Sequence, residues 1–597
     1  MPNPRPSPSA TPSGPRRLST TGVAQVLSPR GALVLTPVDG ALGFAVRAAL
    51  AMALPALPIA LAGHPKLAVY AMLGAFTTTF GRNLPYRRRV WVLALVAVAM
   101  TAAVGCGSAL AVWAAPRSGG WGAVVVVAAT AVVAGTAKFV CDAARLSGLG
   151  AVLLLFSFAV AANGAPTGTD VPLQTAVAAA GAASAWALSL TGWLWHPERP
   201  QRLVVAAALR ALAELMETGP GAPAHAHARA RHGATAAVLR AYGALGVHPP
   251  TAGERGARGG VCLRLTDLSW SLLIRSARRP PGDPAALSRR LRSQVRLLVD
   301  GRRRSPVLLA ELSVASTTAS ATAATGGAGR GVRVPPSPFE STSRRAAELL
   351  GGRGSERTRR LAVFAVPALR MTLGTGAAGA LALALGLGHG YWAAISAAAV
   401  LHSVSVRTTT QRAVQRTVGT LAGLLIAVAV LAAGPGPTVL AVVIVVLEFL
   451  LEYFVVRNYA LGVVFVTPLA LLMSELTAPV STGELVLDRA LGSLLGIGVG
   501  LLCALLVVHD RAAVRVDRAL AACTGAADAT ERVLGERAGP GPALQNVQVR
   551  LAAAVVELRE ADDAAAGELW EAGVDPAVLA AEEERAYLLL DRLLHGG

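Results

Sequence analysis

Two acids stand four residues apart in an otherwise apolar run, VVIVVLEFLLEYFVVRNY, as Glu448 and Glu452. A helix puts residues at that spacing on one face, and two carboxylates on an apolar face are suited to proton exchange within a membrane. The pair also reads as acids hydrated near the membrane interface, or as partners of an arginine from a neighbouring helix. Arg457 lies off their face and is a poor partner within the helix. His402, on an earlier apolar run, is a second candidate for proton handling, but a single membrane histidine also serves as a packing donor.

Arginines supply the complementary chemistry. In RTTTQRAVQRTVGT, Arg407, Arg412 and Arg416 fall near one helical stripe and can present several guanidinium donors to a carboxylate. Arg87, Arg88 and Arg89, in RNLPYRRR, occupy the equivalent position of the first half and would form a second basic funnel that concentrates anions. Arg47 and Arg370 recur at the start of each half, in FAVRAALAMAL and PALRMTLGTGA, where snorkelling to lipid headgroups also accounts for them. The basic loops have a plain topological reading as well, since cations hold loops on the cytoplasmic side.

Other chemistry is missing from the sequence. No GxxxxGK[ST] occurs, so the chain reads as lacking a phosphate-cradling loop of its own. GLGHG and GIGVG do not open a helix after a strand, and Gly419 with Gly423, and Gly492, Gly496 and Gly500, have the spacing of close helix packing in lipid. His225, His227 and His232 in AHAHARARH have no acidic or Cys companion and read as a solvated linker rather than a metal site. No nucleophile–base or paired-carboxylate arrangement marks an enzyme. No cofactor, metal or nucleic-acid partner is expected; the expected partners are a small organic anion and the lipid bilayer, with a homo-oligomer left open.

The elements that must position these residues are membrane helices. Of 597 residues, 53% are hydrophobic and 15% charged, against about 25% charge in soluble domains, so a bilayer is part of the solvent. The fold expected is all-α, with about twelve transmembrane helices arranged as two parallel six-helix repeats and a helical cytosolic domain after each. Six spans are expected near Ala41–Ala62, Leu67–Phe80, Val90–Ala114, Trp121–Ala137, Leu149–Ala162 and Thr175–Trp195. Six more are expected near Leu361–Leu387, Trp392–Val406, Val414–Ala433, Thr438–Val456, Tyr459–Met473 and Leu485–Val508.

Cations gather in alternate loops, and the loops between them carry only Lys66 and Arg117 as cations, which puts both termini and the central region in the cytoplasm. The domain plan is then a disordered tail over 1–36, a membrane repeat over 37–195 and a basic helical domain over 196–360. A second membrane repeat over 361–508 and an acidic helical domain over 509–597 follow. The basic domain holds 27 arginines against 11 acids and the acidic one 9 against 16, a charge pattern expected if the two dock on each other. Anionic lipid headgroups are the other partner that the basic domain would suit.

The stretch Gly388–Leu425 resembles the signature of the fusaric acid resistance protein-like family of inner-membrane proteins. The residues that carry the resemblance are Tyr391, Trp392, Arg407, Gln411, Arg412, Gln415, Arg416, Gly419, Thr420 and Gly423. Asn458, Tyr459, Thr467 and Pro468, then Asp488, Arg489 and Gly492, look like later segments of that family, so that the similarity covers about 361–508. The first half is similar only in layout and in VYAMLGAFTTTFGRNLPYRRR, which lacks a Trp after Tyr70 and has no Gln-Arg pairs. The resemblance implies export of aromatic carboxylic acids, or, as in distant plant relatives, an organic-anion channel. It brings no catalytic residues, and a non-transporting scaffold whose cytosolic domains bind a partner or lipid stands as a further alternative to the exporter and the channel.

Overall fold

The computed structural model describes residues 40–312 and 354–595, with Leu35 and Val38. Loop residues 83, 116–119, 145, 147–149, 165–166, 219–223, 251–259, 279–281, 404–405, 478–480, 508–510, 537–541 and 567–573 are outside that description. The expected tail over 1–36 and the joint TGGAGRGVRVPPSP also lie outside the described residues, apart from Leu35.

The described residues are all-helical, with no strand. The first membrane half contains α1 (Ala41–Leu61), α2 (Pro65–Ala75), α3 (Tyr86–Ala114), α4 (Gly120–Ala143), α5 (Gly150–Ala162) and α6 (Asp170–Trp195). The second contains α11 (Gly354–Ala384), α12 (Tyr391–Leu401), α13 (Val406–Ala432), α14 (Pro437–Phe454), α15 (Tyr459–Thr477) and α16 (Thr482–Val507). Nine of the helices are long and apolar enough to cross a membrane. The exceptions are α2, α5 and α12, of 11, 13 and 11 residues. At 1.5 Å per residue they reach about 17–20 Å, short of the ~30 Å of hydrocarbon expected of a span.

Their short length matches their position. All eleven residues of α12 are buried, as are eleven of the thirteen in α5. A helix apolar on every side belongs inside a bundle. The long outer helices are patterned the other way from a soluble protein. In α1 the inward stripe is Ala41, Ala45, Ala48, Met52, Ala56 and Ala60, while Leu42, Val46, Leu50 and Leu54 face outward. Hydrocarbon is as good a neighbour for leucine as another helix is, so the small residues take the interface, where they let backbones approach.

The helices of each half pack in a matching order. In the first half α2 lies on α6, and α3 lies on both α5 and α6; in the second, α12 lies on α16, and α13 on both α15 and α16. Across the halves, α1 packs on α14 and α4 on α11. Glycines set the closest approaches. A Cβ on Gly74 or Gly181 would collide with backbone across the α2/α6 contact, and one on Gly496 would collide with the Ala393 carbonyl across α12/α16.

The remaining helices form a separate core. They are α7 (Arg199–Glu217), α8 (Ala224–Leu245), α9 (Val261–Arg278), α10 (Pro284–Val299), α17 (Arg511–Gly535), α18 (Pro542–Ala565) and α19 (Pro576–His595). Residues from both expected soluble regions enter one cluster: Leu209, Trp270 and Leu273 from the central part, Leu551, Tyr587 and Leu590 from the C-terminal part. Thr235 and Tyr587 join hydroxyls across it at 2.8 Å, and Gln548 Nε2 donates to the Pro250 carbonyl at 3.1 Å. The regions therefore meet through an apolar core, where the sequence reading had rested on opposite charge. His225, His227 and His232 stand on α8, which corrects their reading as a linker. His227 Nδ1 lies 3.4 Å from the Thr218 carbonyl.

Candidate functional site

A cavity of about 460 Å³ opens between the two membrane halves. Its walls come from the 3-10 turn Phe76–Thr79 and the loop after it, the start of α5, and α12 to α16. The sequence of α13 explains why it opens there. Arg412, Arg416, Gly419 and Gly423 follow one another by four, three and four residues, hence along one stripe. At the glycine end α15 closes in: a Cβ on Gly419 would sit 2.6 Å from the Ala460 carbonyl, and one on Gly423 2.7 Å from Thr467 Cβ. At the arginine end, long side chains fill the space between those helices and reach Tyr459 at the start of α15. Asn458 caps that start, its Oδ1 accepting from Ala460 N at 2.7 Å.

Four arginines and one acid line the cavity: Arg82, Arg412, Arg416, Arg489 and Glu452. Arg82, from the loop before α3, forms an ion pair with Glu452 on α14, a contact that links the halves. Glu452 is 2% and Glu448 1% exposed, so both lie within the bundle and not on its surface. Arg82 is also within electrostatic reach of Glu448, whose Oε2 is buried with no hydrogen-bond partner among the described residues. Glu452 thus pairs with an arginine, but one from a loop of the other half and not from a neighbouring helix.

The other three cations are held loosely. Arg412 lies 5.5 Å from the Tyr459 ring centre. Arg416 is 4% exposed and reaches Tyr459 Oη at 3.5 Å and Ser396 Oγ at 3.4 Å. Both distances are at the outer limit of a hydrogen bond. Arg489 is 2% exposed and stacks 4.0 Å above the Trp392 ring. The rest of the wall is largely apolar and aromatic, including Phe76, Phe80, Phe156 and Trp392. Phe156 and Trp392 bring the halves together at 6.2 Å between ring centres.

Several expected site residues are elsewhere. Arg407 is exposed, because it is five residues from Arg412 and so about 140° around the helix from it. Arg87, Arg88 and Arg89 do not form a common funnel, since consecutive helical residues point about 100° apart. Arg87 is exposed, Arg88 half-buried and Arg89 buried. Arg89 instead donates to the Gly81 carbonyl at 3.0 Å, to that of Ser189 at 3.4 Å, and to that of Arg82. Arg370 does not snorkel: at 8% exposure, it donates to the Leu401 and Ser403 carbonyls at 3.0 and 2.7 Å and so caps the C-terminus of α12. Arg47 is half-buried against the Phe44 ring at 4.6 Å. His402 is the C-cap residue of α12 and does not line the cavity.

Tyr391 bonds Ser474 Oγ at 3.2 Å, Thr420 is buried, Gln411 and Gln415 are half-buried on α13, and Pro468 is buried within α15. Two of the five charged cavity residues have no assigned role in the sequence reading, Arg82 and Arg489. Arg489 carries a signal, an ionisable residue well inside an apolar helix, and it enters the sequence reading only through the family resemblance. Arg82 carries none, for its partner is some 370 residues away in the chain.

The fold and the cavity describe a helical membrane protein with a cationic chamber at the meeting of its two halves. Residues 377–503, which include α12 to α15 and most of α16, match the model of the "Fusaric acid resistance protein-like" family. The chain is also 33% identical over 203 residues to the "Uncharacterized membrane protein YvaC" of Bacillus subtilis (strain 168). That alignment covers 33% of this chain and 31% of the relative, so the chain spans about a third of that protein's length. No solved structure matches the chain.

Proposed function

We propose that this protein is a secondary transporter that exports organic, in particular aromatic, carboxylate anions across the cell membrane. One observation carries the reading: the cavity between the halves has three arginines beyond the Arg82–Glu452 pair, no further acid in its lining, and aromatic walls. A buried cation is stable only when its lost hydration is replaced, and a carboxylate with a flat apolar body replaces it while filling the rest of the space. The two halves act as parallel repeats around this site, a reading supported by the matching order of helix packing in each. The basic loops support cytoplasmic placement of both termini and of the basic mouth.

Proton coupling is assigned to Glu448 and Glu452, which face the bundle interior beside Arg82. The ion pair of Glu452 favours one second reading, a passive anion channel, because it engages one of the two acids in structure. Uptake of radiolabelled aromatic carboxylates into inverted vesicles, with and without an imposed pH gradient, tests both. Uptake that a gradient drives supports the exporter; uptake that only membrane potential and concentration drive supports the channel. No flux of any organic anion would sink both.

A further inference from the structure

Arg489 is 2% exposed, and its Nε and Nη1 are buried with no hydrogen-bond partner among the described residues. The Trp392 ring covers one face of its guanidinium at 4.0 Å. The other groups within electrostatic reach are Arg416 and the phenols of Tyr391 and Tyr459, and none of these is an acid. The neighbouring acid in the chain, Asp488, turns about 100° away on the helix and bonds His389 Nδ1 at 2.8 Å. The Arg416 Nε and the Trp392 indole Nε1 are also buried without partners among the described residues. One region of the cavity wall thus holds two buried cations within electrostatic reach of each other, Arg489 and Arg416, and several unused N–H donors.

Two guanidiniums out of water and near each other repel, and each forfeits its hydration. A bound anion offsets both costs. The fork of an arginine matches the two oxygens of a carboxylate, and cation–π contact with Trp392 leaves the edge of that fork free to donate. Phe156, Phe80 and Val463 continue the same wall as apolar surface. We propose that Arg489 anchors the carboxylate of a flat aromatic monocarboxylic acid, with Arg416 as the second cation and the ring lying along Phe156, Phe80 and Val463. The proposal rests on the transport reading above and names the anchoring residue and the lie of the ring in its site.

The experiment uses the purified full-length protein in detergent, with benzoate as probe and benzamide as its uncharged counterpart. Affinity is followed by intrinsic tryptophan fluorescence and thermal stability by the melting temperature. Benzoate is expected to raise the melting temperature and benzamide to leave it unchanged. Arg489→Gln is expected to lose at least tenfold in benzoate affinity, while the ligand-free variant melts at or above the wild-type temperature, because an unpaired buried charge has gone. Arg489→Lys keeps the charge but loses the fork, so its affinity falls less. It serves the same purpose if the Gln variant does not fold.

A ligand-free Arg489→Gln protein that melts lower yet binds benzoate as tightly as wild type makes Arg489 scaffold and overturns the anchor. Wild-type affinity in Arg489→Gln with loss in Arg416→Gln moves the anchor to α13 and leaves the transport reading intact. A wild-type protein that carries other organic anions but ignores benzoate and benzamide alike overturns the ligand class alone.

Discussion

At the residue scale, charge is what the cavity controls. Glu452 is buried, Arg82 is half-buried, and the two belong to different halves, so removing Arg82 leaves Glu452 a buried charge without its ion-pair partner. Breaking a buried pair costs about 3–5 kcal/mol. Glu452→Gln and Arg82→Gln should therefore each lower the melting temperature well below wild type, and the double variant should recover part of the loss. Additive losses in that cycle would mean that the two groups do not couple. Glu448→Gln removes no ion pair and should fold normally, with transport losing its dependence on a pH gradient while benzoate binding survives. Arg412→Gln and Arg416→Gln should weaken anion capture with the pH response intact, since these residues act before coupling. Export by a Glu448→Gln, Glu452→Gln protein that still follows the pH gradient would make both acids structural.

At the element scale, close contact between helices is set by missing side chains. Gly496 and Gly500 lie on one stripe of α16, but they meet α12 differently. A Cβ at 496 would collide with the Ala393 carbonyl, whereas the nearest atoms to one at 500 are 3.4 Å away, an ordinary contact. Gly496→Ala should therefore push α16 off α12, costing about 1–3 kcal/mol as overpacking does, while Gly500→Ala should be close to neutral. Thermal unfolding of the two variants in detergent checks this, and equal behaviour would contradict the packing. The shift of α16 would also disturb Arg489 on Trp392, so Gly496→Ala should weaken benzoate binding. Gly500→Ala should leave that binding alone.

At the scale of the molecule, the two soluble regions are one structure. Cys523 is fully buried in their shared core. Burial, with Glu582 and Glu583 nearby, pushes its thiol up to about 12. At pH 8 such a thiol is ionised to roughly one part in ten thousand, against about a tenth for one at 9, and the thiolate is the reactive form. Cys523 should resist maleimide labelling in the intact protein, including in 1 M salt, because apolar burial is not screened as exposed ion pairs are. Labelling that rises with salt would mean that charge holds the regions together. The arrangement of the membrane halves is tested by reporter fusions. Those after Arg199 and at the C-terminus should report cytoplasm, and those after Thr167 and Thr482 the outside. Opposite sides for Arg199 and Gly354 would contradict parallel repeats.

The sequence by itself determined what depends on local pattern. Long runs of Ala, Val and Leu specify membrane helices, and α1 follows its expected span to within a residue. Spacing put Glu448 and Glu452 on one face, aligned Arg412 with Arg416, and marked Gly419 and Gly423 as a packing stripe. These are facts of helical periodicity, which a chain carries without knowing its neighbours. Tertiary structure decided everything that depends on a partner distant in sequence. It placed Arg82 on Glu452, set Arg489 above Trp392, turned Arg370 into a cap for α12, and left Arg407 outside. It also joined the basic and acidic regions through a shared apolar core, with Arg231 lying over the Tyr587 ring. The length of a helix is local, but whether its charged residue meets an acid, a ring or a cavity is fixed by which helices cross it. In this bundle Arg82 meets Glu452 across the two halves, while Arg489 and Arg370 both meet α12 within the second.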